Sequence, residues 1–342
     1  MTSTATIRTP SSAVVVNKIG HGLMSMTWQV VAPKSDEECF ETIKAGVDSL
    51  PNGVKMFLNG GEFYGPENHM TANLDMLSRF FEKYPDYTKK TFLSVKGGTK
   101  ANERVLDGSA ANTTRSVNAV IERLRGKKKL DLFECARVDP KVPLEETIGV
   151  LAEFVKEGKI GSIGMSEVRA ETLLRGHKIH PIAAVEIEVS PWEYGPEQQA
   201  VIKAAKENNI AVVAYSPIGR GFLSGEIKKF EDIPETDLRR YFPRFHPDNF
   251  DKNFDIVNKL SAIAKEKNVT PAQLSIAWVS SLGDHIVPIP GSSRKDRTLE
   301  NLAGNNVKLT ADDLKQVNEV IDNATFVGNR YPGDQKAAFL WG

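Results

Sequence analysis

Val54-Lys55-Met56-Phe57-Leu58 and Thr91-Phe92-Leu93-Ser94-Val95 are two short apolar runs of strand-forming residues, and a helical pattern over Asn68–Lys83 lies between them. A strand, a helix and a second strand in that order imply a parallel pair joined by a crossover. Candidate strands recur at Asp131–Ala136, Ile160–Met165, Ile182–Glu188, Ala211–Tyr215 and His285–Ile289, with one more near Gly22–Met24 after an opening hairpin at Ala13–Ile19. Several are continuous apolar runs, as parallel strands covered on both faces should be.

The intervening helices carry boundary signals. Ser35 and Glu38 form a capping box before a segment that reaches Ser49. Pro143 opens a helix with Leu144, Ile148, Leu151 and Val155 on one face and Gly158 as its stop. Thr270-Pro271 opens another that buries Leu274 and Trp278, and further helices fit Asn112–Leu124, Pro196–Asn208 and Phe254–Lys267. Eight strands alternating with helices are most economically closed as an α/β (β/α)8 TIM barrel. An open doubly wound sheet is the alternative, weakened because no Gly-x-Gly-x-x-Gly follows an early strand.

The expected organisation is a disordered tail over residues 1–12 and a single barrel domain over 13–342. Two segments depart from the alternation: a long loop at about 223–253, rich in aromatic residues, and a C-terminal helix and tail at about 309–342. The loop follows the C-terminal end of a strand, where a long loop is usually functional. The helix, Leu309–Asp322, is expected to close over the barrel mouth.

Composition bounds the function. The chain has 342 residues, 40% hydrophobic and 26% charged, with Lys plus Arg balancing Asp plus Glu. No net field steers it to nucleic acid or to an anionic membrane. The run Arg125-Gly126-Lys127-Lys128-Lys129 is better taken as the solvated end of a helix than as a nucleic-acid patch. No apolar run approaches the roughly 18 residues of a membrane span. Cys39 and Cys135, in no metal or redox spacing, fit free thiols in a reducing compartment. A cytoplasmic location is expected, with a nuclear pool also admitted.

Barrel chemistry gathers at the C-terminal ends of the strands. Tyr64, Lys96, Ala136-Arg137, Ser166, Glu186, Tyr215 and Pro290-Gly291 all fall there. A phenol beside an ammonium is a proton donor whose pKa the positive charge lowers, which suits a carbonyl about to receive a hydride. Taken singly, each of these residues is as readily packing or surface charge; their convergence carries the reading.

Three segments at these strand ends resemble the aldo-keto reductase family, and the resemblance spans the chain from Ile19-Gly20-His21-Gly22-Leu23-Met24 to Glu300-Asn301-Leu302. Gly161-Ser162-Ile163-Gly164-Met165-Ser166-Glu167 is similar to the segment that holds the nicotinamide carboxamide. Tyr215-Ser216-Pro217-Ile218-Gly219-Arg220-Gly221 is similar to the segment that stacks on the nicotinamide and cradles the pyrophosphate. Ser292-Ser293-Arg294, with Arg297, is similar to the adenosine-phosphate segment; Glu300 and Asn301 would hold the adenine. The resemblance implies a barrel of the aldo-keto reductase type and NADPH as cofactor, with no metal. Hydroxyls, backbone donors and guanidinium groups at the start of a short helix suit a 2′-phosphate.

Of the family's catalytic Asp, Tyr, Lys and His, only Tyr64 and Lys96 are present. Asn59 stands for the Asp and Ala136 for the His. Asn59 can accept from Lys96 but supplies no charge, so Lys96 is expected to depress Tyr64 more strongly. Losing the histidine donor typically costs about 10²–10³ in rate unless something replaces it. His21 and His69 are the histidines placed nearest to the mouth, although solvated loop positions suit them better. Glu186, where the family usually has Gln, is expected to meet the carboxamide with Ser166, protonated or turned outward.

Both replacements occur in the fungal pyridoxal reductases, which the chain resembles in Leu58-Asn59-Gly60-Gly61-Glu62-Phe63-Tyr64 and Cys135-Ala136-Arg137-Val138-Asp139. That implies reduction of pyridoxal to pyridoxine, with Trp28, Glu62, Phe63, Ala136 and Arg137 lining the pocket. Other aldehydes or ketones remain open as substrates. So does a different class, a regulatory NADPH-binding subunit resembling the β subunits of potassium channels.

Overall fold

The computed structural model describes residues 3–28, 34–333 and 340–342. Two strands, β1 (Thr4–Thr9) and β2 (Ser12–Asn17), form an antiparallel hairpin. Eight more make one parallel sheet in sequence order: β3 (His21–Gly22), β4 (Met56–Gly61), β5 (Thr91–Gly97), β6 (Leu132–Cys135), β7 (Ile163–Ser166), β8 (Ile182–Glu188), β9 (Ala211–Tyr215) and β10 (Ile286–Ile289). The two edges meet, because Gly20 N donates to Pro288 O at 2.8 Å and Gly22 pairs with Gly291. A side chain would jam that seam: a Cβ at Gly20 would lie 2.9 Å from the Phe57 carbonyl oxygen. The sheet is therefore a closed barrel.

Thr4–Thr9 lies where a disordered tail was expected. Ala5, Ile7 and Val16 of the hairpin pack with Phe57, Phe92, Leu132, Ala183, Ala211 and Val287, and so plug the end of the barrel opposite the strand C-termini. The Ser/Thr-rich composition concealed this, because alternation left only every second residue to be buried. Phe57 and Phe92 stack inside at 5.5 Å between centroids; burying each ring contributes roughly 1.5–3 kcal/mol.

The helices surround the sheet as the capping signals predicted. Asp36–Asp48 is capped by the Ser35–Glu38 box, and Pro271–Ser281 by Thr270 and Gln273. An additional helix, Ala170–Ile179, follows β7, and Pro247–Glu266 begins before the expected Phe254 because Pro247 occupies its first turn. The remainder of the long loop folds into short 3-10 turns; Phe222 and Phe245 are buried against Trp192, and Phe250 of the Pro247–Glu266 helix packs on Phe222. In the basic run, Lys128 is buried rather than solvated and reaches Asp131 at 2.7 Å.

The C-terminal helix, Ala311–Asp322, does not cover the mouth. It packs on the outer ring, where Asn318 accepts from Trp278 Nε1 at 2.9 Å and Lys267 pairs with Asp313 at 2.7 Å. What reaches the mouth is the chain beyond it. Arg330 and Tyr331 lie there, and Gly342 N donates to Glu167 O at 3.1 Å. Among the described residues no helix is long and apolar enough to cross a membrane.

Candidate active site

β4 and β5 end side by side, Gly61 opposite Lys96, so their C-terminal ends bring Tyr64 and Lys96 together. Lys96 Nζ lies 5.7 Å from the Tyr64 ring centroid. Thr27 Oγ1 donates to the Tyr64 carbonyl at 2.7 Å. Trp28 lies nearly parallel to the phenol ring at 5.8 Å and Phe63 stands edge-on to it at 5.3 Å. These contacts fix the phenol in an aromatic wall, and Arg104 covers the Trp28 ring at 4.4 Å.

Lys96 is buried within a ring of polar groups. Its ammonium donates to Asn59 Oδ1 at 2.8 Å and to Glu186 Oε1 at 2.6 Å. Asn59 Nδ2 donates in turn to Glu186 Oε2 at 2.7 Å. Glu134 Oε1 stands 3.5 Å from the ammonium. Burial alone would lower the Lys96 pKa; the charges of Glu186, Tyr64 and Glu134 outweigh it and hold the ammonium raised. Burial, followed by the charge of Glu186, holds the Glu134 carboxyl well above the usual carboxylate range.

This geometry overturns two expectations. Tyr64 is not depressed: burial pushes it up to about 12, with Lys96 opposing and Glu186 reinforcing the rise. The negative charge missing at position 59 is present after all, carried by Glu186. Both oxygens of that carboxylate are engaged by Lys96 and Asn59, which leaves it turned toward them and not outward.

The other positions divide sharply. Ser166, at the end of β7, is buried, and its hydroxyl has no partner among the described residues. Both amide atoms of Asn301 are likewise buried without a partner. Orphaned buried polar atoms require an explanation, and a dinucleotide with its carboxamide at Ser166 and its adenine at Asn301 provides one. Ser216, Gly219, Arg220 and Gly221 all have positive φ, of 51°, 56°, 57° and 89°. A chain so turned forms a concave loop suited to phosphate oxygens, within which Gly219 N and Gly221 N donate to the Ser216 and Ile218 carbonyls at 2.8 and 3.0 Å and brace the turn. Pro217, which has no N–H, lies within that loop.

Ser292 and Ser293 precede the helix Lys295–Ala303, whose N-cap is Arg294. Ser292 Oγ donates to the Arg294 carbonyl at 2.9 Å, the exposed Arg294 pairs with Asp296 at 2.7 Å, and Arg297 meets Glu226 at 2.5 Å. Glu300 lies 3.5 Å from Arg297. These residues fit the phosphate and adenosine end of a dinucleotide.

Several expected contacts go elsewhere. Glu62 does not enter the pocket; its carboxylate accepts from Arg115 at 2.6 Å and from the Ser116 hydroxyl. Arg220 pairs with Glu188 at 3.1 Å and lies over the Phe242 ring. Glu167 is wholly buried with φ at 53°, and accepts from Tyr215 Oη at 2.7 Å and from Arg330. Ala136 is buried beside Arg137, whose Nη2 donates to Tyr331 Oη at 3.5 Å. No histidine takes the vacant place: His21 is buried and donates from Nε2 to the Ser292 carbonyl at 2.9 Å, and His69 faces Asp75 at 2.8 Å.

Sequence reasoning missed Glu134, Glu188, Arg330 and Tyr331. The two glutamates did leave a signal, since an acid within an apolar strand needs a buried partner. Arg330 and Tyr331 left none.

A model of the aldo/keto reductase family matches residues 18–322. The chain belongs to the aldo/keto reductase family. Among its relatives is a Schizosaccharomyces pombe protein described as "probable pyridoxal reductase 2", 38% identical over 325 residues, spanning 92% of this chain and 95% of that one. An NADP(+) aldo-keto reductase of the same yeast, yakc, is 38% identical over 282 residues and 81% of each chain. The aldo-keto reductase str7 of Strobilurus tenacellus is 41% identical over 325 residues and 92% of each. The solved glycerol dehydrogenase of Gluconobacter oxydans superposes with a TM-score of 0.78 at 21% identity, covering 96% of this chain and 99% of its own; it supports the barrel fold alone. In this aldo-keto reductase the phenol of Tyr64 and the ammonium of Lys96 stand among Asn59, Glu134 and Glu186.

Proposed function

We propose that this aldo-keto reductase reduces pyridoxal to pyridoxine with NADPH. The observation that carries the reduction is the phenol of Tyr64, held protonated beside the Lys96 ammonium under an aromatic wall. Bound NADPH supplies the hydride that the aldehyde carbon accepts. Tyr64 then gives its proton to the carbonyl oxygen, and Lys96 stabilises the phenolate left behind until solvent reprotonates it. Ser166, Asn301 and the positive-φ loop after Tyr215 are the groups suited to hold the dinucleotide. Arg294 and Arg297 favour a 2′-phosphate over a bare ribose.

The choice of pyridoxal rests on the named relative and on the substrate's own chemistry. Ala136 leaves room beside Arg137 and contributes no donor to the carbonyl. In pyridoxal a ring hydroxyl stands ortho to the aldehyde and can hydrogen-bond it internally, so the substrate supplies part of what a histidine would. Trp28 and Phe63, with ring planes 84° apart, offer an apolar corner beside Tyr64 for its ring.

The test follows NADPH consumption by purified protein with pyridoxal, 3-deoxypyridoxal and a panel of simple aldehydes, beside Tyr64→Phe. Pyridoxal should turn over fastest and the Tyr64→Phe protein should be silent. Equal rates for pyridoxal and the deoxy analogue would remove the internal hydrogen bond from the account. Faster turnover of a simple aldehyde would replace pyridoxal as the substrate.

A further inference from the structure

Lys96 lies among three strands that each bring a polar side chain to one level of the barrel interior: Asn59 from β4, Glu134 from β6 and Glu186 from β8. An ammonium so deeply buried needs a compensating charge. Its shortest contact is to Glu186, at 2.6 Å. Asn59 is not a passive substitute there. It accepts from Lys96 through Oδ1 and donates to Glu186 through Nδ2, closing a three-membered ring of hydrogen bonds. An amide can do both, whereas a carboxylate at position 59 would set acceptor against acceptor at the 2.7 Å separation now bridged by the Nδ2 donor.

We propose that Glu186 and Asn59 work as one exchangeable pair: Glu186 on β8 supplies the charge that balances Lys96, and Asn59 on β4 supplies the amide that ties the two together. Glu186 is then a positioning residue that acts on Tyr64 through Lys96. This deepens the reductase reading and rests on it. The titratable groups bearing on the Tyr64 phenol are Lys96 from β5, Glu186 from β8 and Glu134 from β6. Glu134 stands farther from the ammonium, at 3.5 Å against 2.6 Å for Glu186, and burial followed by the charge of Glu186 holds its carboxyl well above the usual range, so Glu186 is the main partner of the ammonium.

An exchangeable pair has a signature that two independent residues lack. Asn59→Asp alone places two acceptors face to face and should lower kcat about 100-fold or more. Glu186→Gln alone should lower kcat less, because Glu134 can ionise and take over part of the charge. Combined, the two changes rebuild the ring with its polarity reversed, the new amide at position 186 donating to the new carboxylate at position 59. The double variant should therefore recover at least about tenfold over Asn59→Asp. A substitution that harms the wild type would thus help the single variant.

The measurements are kcat and the cofactor KM for all four proteins, together with thermal unfolding and alkaline absorbance titration of the cofactor-free forms against matching Tyr64→Phe controls. Recovery of kcat and of the melting temperature in the double variant supports the exchange. A double variant no better than Asn59→Asp overturns it. So does Glu186→Gln that raises the cofactor KM with kcat intact, since Glu186 would then be a cofactor contact. If no form reduces any aldehyde, the reductase reading has failed. Recovery of melting temperature and of the Tyr64 titration in the double variant, or its absence, still decides the pairing.

Discussion

Arg330 reaches back from beyond the last helix to donate to the Glu167 carboxylate, one residue from the unpartnered hydroxyl of Ser166. The same guanidinium lies 3.3 Å from Glu188 and 3.7 Å from Glu193. A segment remote in sequence thus holds the end of β7 and β8 where the dinucleotide is expected to lie.

Replacing Arg330 by Met should expose that dependence. Removing one partner of a buried ion pair typically costs about 3–5 kcal/mol. Arg220 still compensates Glu188 at 3.1 Å, but wholly buried Glu167 is left with the neutral donors Tyr215 Oη and Glu188 N, so a loss within that range of about 3–5 kcal/mol is expected. Burial by itself would raise the Glu188 carboxyl; Arg220 and Arg330 outweigh it and hold it below the usual range. A depressed carboxylate stabilises the fold above its unfolded pKa, about 4.3, and that stabilisation is lost as pH falls through the folded value. The variant should therefore show a shallower loss of stability in acid. Denaturant titrations of both proteins at neutral and acidic pH check both parts.

Ser166→Ala should move stability and binding in opposite directions. The hydroxyl is buried without a partner among the described residues, so deleting it removes a desolvation cost and should leave the melting temperature unchanged or higher. The lost contact to bound dinucleotide should weaken cofactor affinity by about tenfold, one hydrogen bond's worth. A drop in melting temperature with cofactor affinity intact would give Ser166 a structural role instead.

The pH dependence of reduction follows from Tyr64. Its pKa, raised to about 12, keeps the phenol protonated through the neutral and mildly alkaline range. Reduction uses the protonated form, so kcat should not fall until pH rises toward that value. An alkaline limb near neutrality, absent with Tyr64→Phe, would mean that Lys96 dominates burial. Tyr64→Phe itself should lower kcat by about 10²–10⁴ with cofactor binding retained.

Arg297→Met should separate the two nicotinamide dinucleotides. A charge-assisted bond to a 2′-phosphate is worth about 1.5–3 kcal/mol, so NADPH affinity should fall roughly 10- to 100-fold while NADH is little affected. Glu226 now holds Arg297 at 2.5 Å and competes with any phosphate. Glu226→Gln should accordingly tighten NADPH binding. Fluorescence titration with both cofactors measures each effect, and equal losses for the two would remove the 2′-phosphate from the role of Arg297.

Periodicity carried the fold a long way. Ile182–Glu188 and Ala211–Tyr215 are strands over the bounds their apolar runs suggested, and the Ser35 and Thr270 capping boxes stand as expected. Those signals are local: alternation, capping and turn chemistry are fixed within a few residues of one another. Thr4–Thr9 escaped because its burial comes from the barrel floor and not from its own composition.

Chain order likewise placed Tyr64, Lys96, Ser166 and Tyr215 at strand ends, since a parallel barrel delivers every strand C-terminus to one face, whereas Asn301 is placed by resemblance alone. Which side chain answers which was decided only by closure. Lys96 and Glu186 are on β5 and β8, strands that do not pair, and meet because the barrel interior brings opposite walls within 2.6 Å. Glu62 turned to Arg115, and Arg330 came to Glu167 from the far end of the chain. A charge entering a closed interior takes the partner that folding brings nearest, and sequence separation has no part in that choice.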